Sequence, residues 1–346
     1  MTFAESLPRK GPVAWLVRFL SWLAIGIGFL FRVLLIAWAT LAIYYSNLPW
    51  ASLRLALAVA FMAFAIWSLW LTRRPYMTLA FAGVFLGVAG WWTTIQPSHD
   101  REWRPEVAVM PRVTIDGDRV RFTGYRNFEY RSRDDLTERW EEREVQLSHL
   151  TGVDFFISYW KIGPVSHTFV SFIFDNAPPV SISIETRPEV GEGFDPLASL
   201  FKQFELIYVV GNERDLVRVR TNYRNEDVFL YRLNISPDSA RRLFLVYLDR
   251  INQLADHPEF YHLLSNSCTI NIIRYANVAG RVGGLDFRHV LNGFIDGYLY
   301  RSGRLNSTLP FDELRQRSWI NEAAQAAPNT EDFPQRIRAN LPTVHP

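Results

Sequence analysis

Three long apolar segments lie within the first 95 residues, and they constrain the fold of this chain more than any other feature. They run from about Phe19 to Tyr45, from Leu55 to Leu71 and from Tyr76 to Ile95. Each is close to the roughly 20 residues that an α-helix needs to cross a bilayer. Three such segments, with no small-residue cleavage site after the first, exclude a single cleavable signal peptide. The sequence therefore predicts a membrane anchor of three transmembrane helices over residues 1–95.

Charge is divided unevenly between this anchor and the rest of the chain. Seven basic residues and one acidic residue occur up to residue 99, a net charge of +6, so the remainder carries −4 to give the overall +2. Basic residues cluster at the N-terminus and at Arg73-Arg74, whereas residues 46–50 are uncharged. The positive-inside rule then predicts a cytoplasmic N-terminus and residues 100–346 on the outer side. No nucleic-acid binding is expected, because the basic excess belongs to the anchor.

Arg32 lies inside the first proposed span, where an arginine costs a few kcal/mol unless it snorkels or faces protein. Two interpretations stay open. Residues 13–31 lie partly in the membrane interface and the span begins near Val33, or the span is one long tilted helix. A transport path is not expected, since the spans contain no acidic residue that could pair with Arg32.

A polar, proline-marked linker is expected at residues 96–112, followed by a domain at residues 113–325 and a loosely held tail at residues 326–346. Short or alternating apolar runs predict about seven strands, near residues 120–125, 153–159, 167–174, 180–185, 205–210, 216–220 and 228–233. Helices are expected at residues 237–256 and from residue 265 or 266 to about 279. The fold class is therefore α+β, with three transmembrane helices before an antiparallel sheet covered by helices.

Cys268 is the chain's only cysteine, and it falls where the second of these helices is expected to begin. A lone cysteine forms no internal disulfide, and amide groups at a helix start favour the thiolate over the thiol. Cys268 is therefore a candidate nucleophile. The alternative is a buried, inert thiol that acts as a small apolar side chain.

His167 opens a predicted strand, and Glu185 ends the next one after a return through Pro178-Pro179. If the two strands are antiparallel, Glu185 lies near His167. A carboxylate beside an imidazole fixes its tautomer and strengthens it as a base for a thiol. The alternative is a structural histidine, with Glu185 paired to Arg187.

Common catalytic motifs are missing from the sequence. It contains no His-Glu-x-x-His, no Gly-x-Ser-x-Gly, no P-loop and no Cys or His pair at the spacing of zinc ligands. Neither a cofactor nor a metal is therefore expected.

Six motifs occur in an order that resembles a known family. They are Ser166-His167, residues 181–187, residues 204–209, residues 212–221, residues 228–233 and Asn266-Ser267-Cys268-Thr269. Together they resemble the domain of unknown function 4105, which includes the periplasmic N-terminal domain of Bacteroidetes-type lipoprotein N-acyltransferases. The resemblance covers about residues 115–285. It implies a circularly permuted papain-like fold, with Cys268 as nucleophile and His167 as base.

The resemblance implies acyl transfer through a thioester on Cys268, from a phospholipid or lipoprotein ester to an amine such as the N-terminus of a diacylated lipoprotein. Asn266, Ser267 and Thr269 are expected to support the site or its oxyanion hole, and Glu185 to orient His167. An acyl groove is expected from the aromatic residues Phe155, Phe156, Tyr159 and Trp160. The expected location is the bacterial inner membrane, multi-pass, with the C-terminal domain in the periplasm.

Two other functions use the same residues. Cys268 could serve a hydrolase that cuts a peptide or cell-wall amide, or residues 100–346 could form a non-catalytic, membrane-tethered binding module with an unreactive thiol. Acyl groups trapped on Cys268 would distinguish the first alternative, and native thiol labelling would test the second.

Overall fold

The computed structural model describes residues 12–72, 74–161, 163–284, 286–305 and 308–342. It divides into two compact units, Met1–Gln96 and Pro97–Pro346. The expected boundary at residue 95 is therefore close to the division between the units, whereas the expected linker at residues 96–112 falls almost entirely inside the second unit.

The first unit consists of helices α1 Pro12–Tyr44, α2 Ala51–Ile66 and α3 Pro75–Thr94, and a π-helical turn at Trp67–Leu71 extends α2. In the described part of the chain, these three helices are long and apolar enough to cross a membrane. They pack through small and aromatic side chains, among them Ala39, Ala58, Ala65, Phe61 and Phe81. Small residues let helix backbones approach closely in a bilayer. The three predicted apolar helices are confirmed.

Helix α1 continues without a break through Arg32, whose side chain is exposed. Its 33 residues correspond to a length of about 50 Å at 1.5 Å per residue. The unbroken helix favours the interpretation in which Arg32 lies within one long helix. A helix of this length exceeds the roughly 30 Å hydrocarbon thickness, so it must tilt or extend beyond the hydrocarbon region.

The second unit is built on a mixed sheet, which confirms the α+β class. Its strands are β1 Arg112–Asp116, β2 Arg119–Arg126, β3 Glu129–Tyr130, β4 Leu136–Thr137, β5 Trp140–Gln146, β6 Leu150–Tyr159, β7 His167–Phe174, β8 Val180–Arg187, β9 Glu205–Gly211 and β10 Asp227–Arg232. The main sheet has the order β1-β2-β9-β8-β7-β6-β10, β5 pairs with β2, and β3 pairs with β4 separately. The pairings are antiparallel except for β2 with β9, which is parallel.

Helices cover both faces of the central strands. They are α4 Glu213–Leu216, α5 Pro237–Asp256, α6 Cys268–Val278, α7 Ile295–Arg301, α8 Phe311–Ser318, α9 Asn321–Ala326 and α10 Phe333–Arg336. On one face Phe172 of β7 meets Phe244 of α5 at 4.5 Å between ring centroids. On the other face Phe156 stacks on Phe169 at 4.6 Å within a cluster that includes Phe333 of α10. Because both faces are covered, the central strands are nearly continuous buried runs.

The segment predicted as a strand at residues 216–220 is helical, so that prediction is wrong. Asn212 caps α4 by accepting a hydrogen bond from the Arg214 N–H, and a π-helical turn follows at Val219–Tyr223. Asp215, just before this segment, and Arg220, at its end, are both buried in ion pairs. The local cap and these inward charges set the conformation, rather than the apolar residues between them.

Three other regions differ from expectation. The edge strand β5 was not predicted because its four consecutive charged residues, 141–144, lack an apolar alternation. In the expected linker, the Ser98 N–H donates to Glu205 at 3.1 Å and Arg101 pairs with the same carboxylate at 2.8 Å. The expected loose tail is packed over its described part, where Phe333 and Ile337 are buried in the core.

Candidate active site

Cys268 and His167 occupy the first positions of their elements, as the sequence predicts. Cys268 begins α6, and His167 begins β7. Helix α6 is tied to β7 by a hydrogen bond of 2.8 Å between the hydroxyls of Thr269 and Thr168. Thr168 and His167 point to opposite faces of the strand, but His167 is at the strand's end, where its ring can reach α6. The imidazole is close enough to the Cys268 thiol to act on its ionisation.

The environment of Cys268 favours its thiolate. Only 2% of the residue is exposed, and burial alone raises the pKa of the thiol. The hydrogen bond and charge of His167 act against burial, as do hydrogen bonds from the backbone and side chain of Thr168, and they lower the pKa of Cys268 from 9.0 to about 6. A lowered pKa is what a reactive cysteine requires, whereas apolar burial alone would raise it.

The β7–β8 pairing places Glu185 beside His167. Phe169 lies opposite Ser183 in the antiparallel ladder, and continuing this register puts His167 opposite Glu185. The Nε2 atom of His167 is 3.7 Å from the nearer Glu185 oxygen, which is too long for a hydrogen bond. The same Nε2 atom is 2.7 Å from the Ser183 Oγ, and Ser183 also helps to lower the pKa of Glu185. The structure therefore brings the predicted pair together, with Ser183 between them.

Glu185 is held in its ionised form by arginine. Burial raises the pKa of its carboxyl, but Arg220, His167 and Arg126 outweigh burial and lower the pKa well below its usual range. Arg220 donates from Nη2 to Glu185 at 2.7 Å, and only 3% of its side chain is exposed. The alternative partner of Glu185, Arg187, instead donates to the carbonyl groups of Val107 and Ala108.

Asn292 is a site residue that the sequence did not reveal. Its Nδ2 donates to Thr269 Oγ1 at 2.8 Å and to the Ser166 carbonyl at 2.7 Å, and it lies 3.8 Å from the Cys268 sulfur. Its Oδ1 accepts from the Ser166 N–H at 2.7 Å. Asn292 thus joins the start of β7 to the start of α6 and fixes the spacing of His167 and Cys268.

The three expected support residues have different surroundings. The Asn266 amide donates to Glu259 and to the Phe260 carbonyl, so it holds the loop before α6. Ser267 is the N-cap residue of α6, but its side chain makes no capping bond. Thr269 contacts the site directly through Thr168 and Asn292, as described above.

Tyr261 is a second residue that the sequence did not reveal. Burial raises the pKa of Tyr261 well above its ordinary value, and interactions of its hydroxyl with Cys268 also act on this pKa. It therefore stays protonated and can donate a hydrogen bond beside the reacting sulfur.

The expected acyl groove is wrong for three of its four aromatic residues. Phe155, Phe156 and Tyr159 are buried in the core, because β6 is covered on both faces. Trp160 is 41% exposed and contacts Phe194 at 5.7 Å between ring centroids. The loop that follows Trp160 packs against Gly293, whose N–H donates to the Pro164 carbonyl at 3.0 Å.

Exposed apolar side chains occur in the chain segments before β7 and around Asn292, and on Phe194, which contacts Trp160. We call them the apolar rim, and its members are Trp160, Phe194, Phe287, Leu291 and Phe294. Gly293 has no room for a side chain, since a Cβ there would be 2.3 Å from the Gly163 carbonyl oxygen. The close approach at Gly293 seats Asn292 beside Cys268 and leaves Phe294 at the surface.

Two other kinds of site were sought. Within the described ranges, no group of three or more His, Cys, Asp or Glu side chains could hold a metal ion. A cavity of about 310 Å³ lies elsewhere, among Leu230, Leu314 and Leu341. Its arginines, Arg232 and Arg338, are paired with buried acids, and none of the site residues lines it.

The order of the elements and the site agree with the resemblance seen in the sequence. Residues 136–296 match the family model of the Lnb N-terminal periplasmic domain. The resemblance is therefore confirmed, although this Lnb-type segment begins and ends later than the expected residues 115–285. It contains His167, Glu185, Cys268 and Asn292. No curated protein and no solved structure matches the chain. With three candidate membrane helices ahead of a periplasmic-type domain, the protein is a membrane-anchored module.

Proposed function

We propose that this protein is a membrane-anchored, cysteine-dependent acyltransferase that acts on lipid-linked substrates. The observation that carries the proposal is the Cys268 thiol at the start of α6, whose pKa His167 helps to lower to about 6. A thiol of this kind is largely ionised at neutral pH, which is the form that attacks a carbonyl. The match to an Lnb-type domain supports the substrate class.

In the first half of the reaction, His167 takes the proton of Cys268 and the thiolate attacks the ester carbonyl of a phospholipid or lipoprotein. The C–S bond forms, the ester C–O bond breaks, and His167 returns the proton to the leaving alkoxide. We assign stabilisation of the developing oxyanion to the backbone amide of Cys268 and to the Tyr261 hydroxyl, which interacts with Cys268.

In the second half, an amine attacks the thioester on Cys268. The C–N bond forms, the C–S bond breaks, and the proton lost by the amine passes through His167 to the departing thiolate. The products are an amide and the free thiol. The N-terminal amine of a diacylated lipoprotein is the acceptor that suits this chemistry, because its acyl chains keep it in the same membrane.

Two features support a lipid-linked substrate over a soluble one. The apolar rim offers exposed aromatic side chains, including Phe287 at 65% and Phe294 at 50% exposure, and surfaces of this kind mark sites of lipid or protein contact. Cys268 itself is almost fully buried. A water-poor site protects a thioester from hydrolysis until the amine arrives.

The test uses the purified full chain in vesicles that contain acyl-labelled phospholipid. We expect one acyl group on the peptide that contains Cys268, sensitive to hydroxylamine and lost in Cys268→Ala, and its transfer to a diacylated peptide. Release of free fatty acid, or cleavage of an amide without an acyl intermediate, would overturn the transferase in favour of a hydrolase. A thiol that is unreactive in the native protein would favour the binding module.

We propose the bacterial inner membrane as the location, with the Lnb-type segment in the periplasm. The basic residues at the N-terminus and at position 74 support this orientation. A reporter that requires export, fused after Ile95, is expected to be active. Activity of a cytoplasmic reporter at that position would overturn the orientation and with it the envelope substrate.

A further inference from the structure

Ser183 occupies the space between the proposed base and its carboxylate. Its hydroxyl is 2.7 Å from His167 Nε2 and helps to lower the pKa of the Glu185 carboxyl. The direct separation between Nε2 and the Glu185 oxygen is 3.7 Å. Ser183 is therefore the group at hydrogen-bond distance from Nε2, and the Glu185 carboxylate lies just beyond that distance. Ser183 is also fully buried, so bulk water does not compete for this hydroxyl.

The charge of Glu185 determines which ring nitrogen of His167 carries hydrogen. Glu185, held by Arg220 at 2.7 Å, is ionised and can only accept hydrogen bonds. A carboxylate 3.7 Å from Nε2 favours hydrogen on that ring nitrogen, because a negative charge stabilises an N–H directed toward it. The Ser183 oxygen then accepts from the Nε2–H, and its own hydrogen is left to point toward Glu185. In neutral imidazole, this leaves Nδ1 unprotonated and available to accept the thiol proton.

We propose that Ser183 is a positioning residue that relays Glu185 to His167, and that it selects the imidazole tautomer in which Nδ1 accepts the proton of Cys268. This inference rests on the proposed function. When the proton moves from sulfur to Nδ1, the Nε2–H bond to Ser183 becomes charge-assisted and therefore stronger. The relay thus favours the thiolate–imidazolium pair over the neutral pair.

The chain contains a matched control for this role. Ser181 lies two residues earlier on β8, so its side chain points to the same face of the sheet. It is also fully buried, and its hydroxyl bonds the hydroxyl of Ser171 at 2.6 Å. Replacing Ser181 by alanine removes a buried serine hydrogen bond from the same strand without touching His167.

The experiment measures two quantities on the full chain in detergent. The first is the rate of iodoacetamide alkylation as a function of pH, which reports the thiolate of the only cysteine. The second is the rate of acyl transfer from phospholipid. For Ser183→Ala we expect the alkylation inflection to move to higher pH by about one unit and transfer to fall about ten- to a hundredfold. Ser183→Thr keeps the hydroxyl and is expected to restore most of both, whereas Ser181→Ala changes neither.

The outcomes separate this inference from the proposed function. Unchanged alkylation and transfer in Ser183→Ala would overturn the relay and leave the transferase standing. Equal losses in Ser183→Ala and Ser181→Ala would also overturn it, since a general packing defect would then explain both. A shifted alkylation profile in Ser183→Ala, in a chain that transfers no acyl group, would support the relay and reject the transferase.

Discussion

Two clusters of buried carboxylates and arginines lie in the second unit, and they differ in what their carboxylates are free to do. The Asp154 cluster consists of Asp154, Glu213, Arg232 and Arg338. The Glu185 cluster consists of Glu185, Arg220, Ser183 and His167. The first joins the C-terminal segment to the sheet, and the second borders Cys268.

In the Asp154 cluster, guanidinium groups hold every carboxylate oxygen. Arg338 donates to both oxygens of Glu213 and to one oxygen of Asp154 at 2.8 Å, and Arg232 bonds the other oxygen of Asp154. In the Glu185 cluster, Arg220 holds one oxygen, and the same oxygen lies 3.7 Å from His167 Nε2. Because arginines hold every carboxylate oxygen of the Asp154 cluster, we call it closed, and it can only stabilise the fold. The Glu185 cluster includes the titratable ring of His167 and can therefore influence a reaction. The predictions below test this division.

The largest expected effect is at the sulfur. Cys268→Ala and His167→Ala are each expected to lower acyl transfer at least about a thousandfold, because nucleophile and base act as one unit. The melting temperature should change little, since neither side chain belongs to a closed ion cluster. Acyl transfer by Cys268→Ala at the native rate would show that the thiol is structural. The Glu185 cluster would then have no catalytic role.

The next effect concerns stability. Arg338→Met leaves Glu213, which is fully buried, without its cation. Breaking a buried ion pair in this way costs about 3–5 kcal/mol, which corresponds to a fall of roughly 10 °C in melting temperature for a unit of this size. The rate of acyl transfer per folded molecule is expected to stay unchanged.

The control for this variant adds Glu213→Gln, which removes the uncompensated charge and should recover part of the lost stability. A normal melting temperature for Arg338→Met with reduced transfer would contradict the division between the clusters, because the Asp154 cluster would then affect the reaction.

Glu185→Gln should lower the rate of acyl transfer more than it lowers stability, which is the reverse of Arg338→Met. The neutral amide has nearly the same shape but removes the negative charge that faces the imidazolium through Ser183. We expect transfer to fall about ten- to a hundredfold, with a smaller loss of stability than in Arg338→Met, since 19% of the Glu185 side chain is exposed. Kinetics and thermal unfolding of the two variants side by side would reveal whether the patterns are reversed.

The sequence predicted the dyad because each member carries a strong local signal. Cys268 is the only cysteine and opens an amphipathic helix, and His167 opens an alternating strand. The position of Glu185 near His167 was predicted from the short turn that joins the two antiparallel strands. These are local patterns, and the structure places all three residues near one another.

The sequence did not reveal Ser183, Asn292 or Tyr261, because serine, asparagine and tyrosine are common residues whose role depends on tertiary contacts. Alternation along β8 does put Ser183 and Glu185 on one face, a signal that could have identified Ser183. No comparable pattern connects Asn292 with Cys268, since they meet only through the close packing at Gly293. The misassigned strand at 216–220 has the same cause, because buried ion pairs formed with distant strands decide its conformation.

The smallest effect, and the sharpest test of the comparison, is the pH dependence of Cys268 alkylation. The folded-state pKa of this thiol, about 6, lies below its ordinary value of 9.0. The reactive thiolate is therefore present above about pH 6 and disappears as the pH falls through that value. For the same reason, the thiolate's contribution to stability is complete above about pH 9 and is lost as the pH falls through 6.

Glu185→Gln is expected to raise this inflection by less than about one pH unit, since the lost charge acts on Cys268 through the His167 ring. Arg338→Met should leave the inflection at its native position, because the Asp154 cluster contains no group bonded to His167 or Cys268 within the part of the chain that the structure describes. Urea-unfolded chain, alkylated in parallel, supplies the reference near pH 9. Equal shifts in both variants would mean that the thiolate responds to the net charge of the unit, and the relay through Ser183 would then have no separate role.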